Sequence, residues 1–180
     1  MKSLILTPHV GIGPIKLRAT RSEVRAALSA VSLPLETERE SMDFFCGASI
    51  QVEYEEDGTA SFIGVSGDPE LALLYDGADL FDIEAKRVFE LLANRDGSGQ
   101  HEFSEFEYIF PSQIVTLYEA DQQYDRKGGE VRVVWGQIGC GDTRYKDAIL
   151  KIHSGVLNRP RMKKGDPVGT DNDGAAPHRV

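Results

Sequence analysis

The fold is decided by a stretch at residues 50–65 that reads IQVEYEEDGTASFIGV. Within it, Ile50, Val52 and Tyr54 alternate with polar residues, which is the period of a strand with one face in water. The dipeptide Asp57-Gly58 follows and tolerates the positive φ angles of a tight hairpin turn. The chain then returns through a second apolar run, so this stretch predicts an antiparallel hairpin.

An amphipathic helix is predicted upstream of the hairpin. Thr20 stands three residues before Glu23, a spacing at which each side chain satisfies the other residue's backbone amide in a capping box. Val24 and Leu28 then follow at helical spacing. Pro34 ends the helix, because proline has no amide hydrogen to donate.

The same order of elements recurs in the second half of the chain. An apolar stripe at helical spacing predicts a second helix with Asp82 as its N-cap. The stripe consists of Ala85, Val88, Phe89 and Leu92. Further elements are strands at residues 71–75, 108–110, 114–118 and 131–135, a wide turn at Tyr124–Gly129 and a short final helix beginning near Asp142.

These patterns predict an α+β fold in which two helices pack on one face of a largely antiparallel sheet. Each half, about residues 10–75 and 76–150, carries a helix followed by an antiparallel meander. The two halves form a single domain over residues 1–155. Residues 156–180 lack periodicity and are rich in glycine, proline and charged side chains, so they are predicted to be a disordered tail.

The charge of the chain limits the classes of partner. It has 180 residues, with 29 acidic and 20 basic side chains and a net charge of −9. A field of this sign repels phosphate backbones and anionic lipids, which disfavours nucleic acids and membranes as partners. It favours a basic protein or a cation. A competing interpretation is that the acidic charge only keeps the protein soluble.

The sequence also predicts a cytoplasmic location. No apolar stretch approaches the roughly 20 residues that cross a bilayer. The first ten residues hold a brief apolar run without a cleavage site for export. Cys46 and Cys140 lie far apart and are expected to be free thiols in a reducing compartment.

Acidic residues are dense in two places, and both are candidate contacts for a basic partner. On a strand, Glu53 and Glu55 share one face and form a local negative patch. The candidates are Glu53, Glu55, Glu56 and Asp57 at the hairpin, with Asp76 and Asp79 before the second helix. The competing interpretation is a solvated hairpin whose charges discourage edge-to-edge pairing.

The stretch from Asn94 to Glu105 matches the twelve-residue loop of a calcium-binding EF-hand. Gly99 falls at the sixth position, where that loop turns sharply. The candidate oxygen donors are Asn94, Asp96, Ser98, Glu102 and Glu105. Against calcium, His101 stands at the eighth position and a strand is predicted to follow. A polar, glycine-rich turn is therefore the competing interpretation.

No convincing catalytic set emerges from the sequence. A nucleophilic Cys140 needs a histidine base near it in space, and His153 is available only in sequence. A small buried thiol beside glycine is the preferred interpretation. We therefore predict a protein without enzymatic activity and without a resident cofactor, unless the loop at 94–105 binds calcium.

The opening of the chain resembles a known binding module. Residues 11–17, GIGPIKL, with residues 20–25, TRSEVR, are similar to the start of the helix-plus-sheet module of small outer-membrane assembly lipoproteins. No lipobox cysteine or signal peptide accompanies it, so the lipoprotein role is not expected. Two such modules in tandem resemble the β-lactamase inhibitory proteins and small bacterial immunity-type proteins. The resemblance implies a scaffold that presents a sheet face and loops to another protein.

Two functions are predicted from these features. The first is a non-enzymatic protein-binding module, an immunity-type inhibitor of a basic toxin or enzyme. Negative charge, the tandem pattern and the lack of a catalytic set favour it. The alternative is a calcium-binding protein that uses the EF-hand-like loop at residues 94–105.

Overall fold

The computed structural model describes residues 1–124 and 131–153. The strands are β1 (Lys2–Thr7), β2 (Gly11–Ile12), β3 (Ile15–Lys16), β4 (Leu35–Arg39), β5 (Met42–Phe45), β6 (Ile50–Tyr54), β7 (Ala60–Ser66), β8 (Leu71–Tyr75), β9 (Ala78–Asp79), β10 (Glu107–Phe110), β11 (Val115–Tyr124) and β12 (Val131–Gly141). The helices are α1 (Arg21–Ala30), α2 (Ala85–Ala93) and α3 (Thr143–His153). The predicted tail at 156–180 lies outside the described residues, as does nearly all of the turn predicted at 124–129.

A seven-stranded sheet in the order β10-β11-β12-β7-β6-β5-β4 forms the larger layer, and each neighbouring pair is antiparallel. Its registers align one row of side chains directly across five strands, all of them buried. The row consists of Val52, Ile63, Cys140, Val115 and Phe110. This face, here called the inner face, therefore supplies a continuous apolar surface to the core.

A second, five-stranded sheet in the order β3-β2-β1-β8-β9 forms the other layer. Its central strands β1 and β8 are parallel, with Leu4 opposite Leu73, while the remaining pairs are antiparallel. Leu4, Leu73, Val24 of α1 and Val88 of α2 all belong to the buried cluster that also contains the inner-face residues. The two sheets and two helices thus share one hydrophobic core.

Helix α1 begins as its sequence predicts. The Thr20 side chain accepts the Glu23 amide at 3.4 Å, and Glu23 Oε2 accepts the Thr20 amide at 2.8 Å, which completes the capping box. Hydrogen bonds from the Thr20 backbone, first, and from its side chain lower the pKa of Glu23. The helix ends at Ala30, so its last turn stops before Pro34.

Helix α2 begins later than predicted, and Asp82 is not its N-cap. The Asp82 amide donates to the Asp79 carbonyl at 3.1 Å, which closes a separate turn ahead of the helix. The N-cap is Glu84, which makes no side-chain capping hydrogen bond. The four apolar residues of the predicted stripe are nonetheless all buried. Packing of that stripe, rather than a cap, therefore defines the helix.

The α+β class predicted from the sequence is confirmed, with mostly antiparallel strands. The hairpin of β6 and β7 and the final helix near Asp142 are also confirmed. The structure adds strands that were not predicted, among them β1, β4 and β5, and divides the strands between two sheets. None of the described helices is long and apolar enough to cross a membrane.

Candidate functional site

The side of the seven-stranded sheet opposite the core, here called the outer face, carries an unusual mixture of glycine, amide and aromatic residues. Two cross-strand rows define it. The first row is Phe44, Gln51, Gly64, Gly139 and Thr116, and the second is Met42, Glu53, Phe62 and Gly141. The rows bring the predicted contact residue Glu53 beside residues from neighbouring strands on both sides.

Helix α3 covers the part of the outer face above β7 and β12. The Tyr145 ring stacks on Phe62 with centroids 4.4 Å apart and planes inclined by 17°. Glycines make room for these rings, because a Cβ at Gly139 would stand 2.4 Å from the Phe62 ring. A Cβ at Gly141 would stand equally close to Tyr145. Burial, followed by the nearby charge of Glu53, raises the pKa of Tyr145.

The outer face of β5 and β6 is not covered in this way. Met42, Phe44, Gln51 and Glu53 are each partly exposed. The Arg39 guanidinium on the edge strand β4 lies 5.1 Å from the centre of the Phe44 ring. This surface, which we call the open face, therefore combines apolar and aromatic side chains with an amide and one carboxylate.

Glu53 is the acidic group of the open face. Burial raises its pKa, a hydrogen bond from Gln51 opposes that shift, and the charge of Glu55 adds to it. The Gln51 amide donates to Glu53 Oε1 at 2.7 Å, and the Gln137 amide donates to Gln51 at 3.4 Å. A chain of amides thus orients a carboxylate whose ionised form is disfavoured by its surroundings.

The remaining predicted hairpin acids lie at the end of the sheet beside the open face. Glu55 and Glu56 occupy the turn after β6, and the Tyr54 amide donates at 2.8 Å to the carbonyl of Ser41 in the turn between β4 and β5. That bond holds the turn between β4 and β5, which contains the exposed Glu40, beside the turn after β6. We call Glu40, Glu55 and Glu56 the acidic end.

Asp57, the fourth predicted hairpin acid, stabilises the fold through contacts within the protein. Its Oδ1 accepts the Thr59 amide at 2.9 Å within the hairpin turn, and its Oδ2 pairs with Arg144 of α3 at 3.1 Å. The Thr59 and Arg144 contacts lower the pKa of Asp57. Asp57 therefore ties the hairpin to α3.

Asp76 and Asp79, the other predicted contacts, lie on the five-stranded sheet. Asp76 follows β8 and pairs with Arg95 at 2.6 Å. Asp79 lies in β9, and its carboxylate accepts the Phe81 amide at 3.3 Å. The structure thus divides the six predicted acids between the two sheets.

The loop at residues 94–105 turns its one buried acid inward. Asp96 Oδ2 accepts the amides of Ser112 and Gln113 at 3.0 Å each, and Oδ1 accepts the Ser98 amide at 2.9 Å. Burial opposes ionisation of Asp96, but these hydrogen bonds outweigh it and lower its pKa. The carboxylate therefore braces the loop against the segment after β10.

Of the other predicted calcium ligands, Ser98 contacts Asp96 through its amide and its hydroxyl, but the remaining three do not converge on Asp96 in the described structure. Asn94, Glu102 and Glu105 are exposed, and the segment after them forms strand β10 instead of an exiting helix. Among the described residues, no group of three or more His, Cys, Asp or Glu side chains is arranged to hold a metal ion. Calcium binding by this loop stays a prediction.

Cys140 lies on the inner face of β12 and is fully buried. Burial raises the pKa of its thiol to about 12, so the thiolate needed for nucleophilic chemistry is disfavoured. Cys46 is partly exposed, and burial raises the pKa of its thiol as well. The side chain of His153 lies outside the described residues.

Two fully or nearly buried acids were not predicted as site residues. Asp43 accepts hydrogen bonds from Arg21, Arg25 and Tyr54, at 2.6, 2.8 and 3.2 Å for the shortest contact of each. Asp142 caps the first turn of α3 and pairs with Arg144 at 2.7 Å. Alternation along β5 could have placed Asp43 on the inner face, but its arginine partners on α1 are distant in sequence.

The amides of the open face were also missed. Gln51 could have been found, because the strand period that places Glu53 on one face places Gln51 there too. Gln137 and Tyr145 could not have been found from the sequence, because only the pairing of β7 with β12 brings them near Glu53.

No family model, curated protein sequence or solved structure matches the chain.

Proposed function

We propose that the protein binds a basic protein through the acidic end of its seven-stranded sheet, as an immunity-type inhibitor without chemistry of its own. The observation that carries this proposal is the junction of two acidic turns. The hydrogen bond from Tyr54 to Ser41 holds Glu40 of one turn next to Glu55 and Glu56 of the other. Acidic residues that are distant in sequence are thereby brought to the same end of the sheet, where the Arg21 guanidinium also bonds the Glu40 carbonyl at 3.0 Å.

The charges of the acidic end are available to a partner. Glu40, Glu55 and Glu56 form no ion pair with any residue in the described part of the chain, although Arg144, which pairs with Asp57, is close enough for the charge of Glu55 to help raise its pKa. Unpaired surface charges of one sign raise the association rate with an oppositely charged partner and exclude partners of like charge. The overall charge of −9 acts in the same direction at longer range.

The neighbouring edge strand supports a role in heterologous binding. All five residues of β4 are exposed, and β4 is the last strand of its sheet. An exposed edge invites pairing with another strand, and like charges on two copies oppose it. Glu38 of β4 pairs with Arg25 at 3.0 Å and Glu36 accepts the Gly47 amide, so these two charges are partly satisfied within the protein and oppose self-association only in part.

Matched charge-reversal variants test the proposal. Tagged wild-type protein, Glu55→Lys/Glu56→Lys and the control Glu84→Lys/Glu105→Lys would be used to capture partners from lysate of the native cell. The control makes the same change in net charge at exposed positions elsewhere. We expect a stoichiometric basic protein with the wild type and the control, and its loss with the hairpin variant. Equal capture by all three proteins would reject the acidic end as the binding site.

A further inference from the structure

Glu53 differs from the other acids that the fold removes from water. Asp43 is surrounded by two arginines and a tyrosine, and Asp142 by Arg144 and backbone amides. Asp96 is held by three amides and the Ser98 hydroxyl, and the His101 imidazole lies 3.3 Å from it. Glu53, in contrast, receives one neutral amide from Gln51 and has no cationic partner among the described residues.

A partly desolvated carboxylate without a nearby cation lowers the stability of the folded protein. Removing a carboxylate from water is unfavourable unless a charge or several hydrogen bonds replace the water. The Arg39 guanidinium belongs to the same cross-strand row but is two strands away and lies over Phe44. Within the described chain, Glu53 is therefore not neutralised by a side chain of its own sheet.

The surroundings of Glu53 suit a flat cation on an apolar stem. Met42 lies directly across from Glu53 on β5 and is partly exposed, whereas Phe62, directly across on β7, is buried under the Tyr145 ring, so Met42 supplies the apolar contact that a ligand can reach. Stacking of Arg39 on Phe44 shows that a guanidinium is accommodated on this face. Arginine is suited to such a site because its planar group both pairs with carboxylates and packs on apolar or aromatic side chains.

We infer that the open face is a recognition site for an arginine side chain of the partner, with Glu53 as the residue that receives its guanidinium. This inference rests on the proposed function and names the partner chemistry at its centre. The acidic end follows on the same hairpin, so Glu55 and Glu56 would attract the partner while Glu53 would bind one side chain of it. The raised pKa of Glu53 agrees with a carboxylate that lacks its cation.

The inference is tested on the isolated protein with a small probe. N-acetyl-arginine methylamide and its neutral isostere N-acetyl-citrulline methylamide would be titrated into isotopically labelled protein, with the Glu53 carboxyl carbon followed by NMR across pH. We expect the arginine probe to move the Glu53 titration to lower pH, because a bound cation favours the ionised form. The citrulline probe should leave it unchanged.

Two conservative variants provide the comparison. Glu53→Gln should weaken arginine binding about tenfold, because it removes a partly desolvated charge pair. Glu56→Gln, on the exposed turn, should change it less than about twofold. The inference is overturned if the arginine probe does not change the Glu53 titration. It is also overturned if Glu53→Gln and Glu56→Gln weaken binding of the arginine probe equally. The wild-type titration decides the matter even if Glu53→Gln fails to fold.

The outcomes separate this inference from the proposed function. If arginine leaves Glu53 unaffected but the Glu55/Glu56 reversal abolishes partner capture, the inference fails and the proposed function stands. If arginine binds at Glu53 but Glu55→Lys/Glu56→Lys captures the partner as well as the wild type does, the acidic end is rejected as the docking surface while the arginine site remains.

Discussion

At the scale of single residues, the acids of this protein fall into those that hold the fold together and those that are left for a partner. Asp43 is fully buried and connects α1 to β5 through Arg21 and Arg25. Glu55 and Glu56 make no such connection within the described residues. The distinction depends on which acids have cations nearby, and that is a property of the tertiary structure.

The first prediction concerns the Asp43 network. Asp43→Asn should destabilise the protein by about 3 kcal/mol, because it removes the buried carboxylate from two partly buried arginines and leaves them the exposed Glu38. Equilibrium unfolding in urea measures this change. Glu56→Gln, at an exposed position, should stay within about 0.5 kcal/mol of the wild type. A loss for Asp43→Asn no larger than that of the control would contradict the assigned role.

The same residue predicts a dependence on pH. Burial disfavours the Asp43 carboxylate, but hydrogen bonds from Arg25 and Arg21 outweigh burial and lower its pKa to about 2. Because an unfolded aspartate titrates near ~4, this stabilisation is complete above that pH and is lost as pH falls towards the lowered pKa. Asp43→Asn should therefore flatten the acid limb of stability against pH between these values. Unchanged steepness in the variant would assign acid sensitivity to other groups.

At the scale of elements, sequence periodicity predicted those helices and hairpins that are encoded within a single segment of the chain. The capping box of α1, the apolar stripe of α2 and the β6–β7 hairpin are each encoded within a few residues, and each is present. Strand β4 was missed because all its residues are exposed, so no apolar alternation marks it. Strand β1 was missed because it is stabilised by parallel pairing with β8, which lies far along the chain.

The packing of α3 on the glycine-containing strands β7 and β12 gives a prediction at this scale. Gly139→Ala should destabilise the protein by about 1–3 kcal/mol, because the new methyl group collides with the Phe62 ring and the Ile63 carbonyl. Gly67→Ala is the matched control, since its nearest neighbour would be a Phe81 carbon at 3.7 Å. Thermal unfolding of both variants makes the comparison. Equal midpoints would show that α3 does not depend on this fit.

The loop at residues 94–105 gives a second prediction at this scale. Asp96→Ala should destabilise the protein by about 1–3 kcal/mol, because it leaves the amides of Ser112 and Gln113 without their acceptor. The loss should be the same with and without millimolar calcium, as measured by urea unfolding. Glu102→Ala, at an exposed position, serves as the control. A calcium-dependent gain in wild-type stability that Asp96→Ala removes would instead support the calcium-binding alternative.

At the scale of the whole molecule, composition predicts the sign of the partner's charge but not the surface that receives it. The excess of acidic residues by itself favours a basic partner. Where those residues meet depends on the pairing of β4 with β5 and of β5 with β6, which brings Glu40 beside the later hairpin. The open face likewise arises only where strand registers bring Gln137 to Gln51, on the strand that carries Glu53.

Hydrogen–deuterium exchange on the captured complex tests the central claim most directly. Binding at the acidic end should slow exchange at residues 40–41 and 50–59 relative to the free protein, because partner contacts exclude solvent from those amides. Residues 84–105, in the other half of the sequence, should exchange as they do in the free protein. Protection confined to the five-stranded sheet, with residues 50–59 unchanged, would contradict binding at the acidic end.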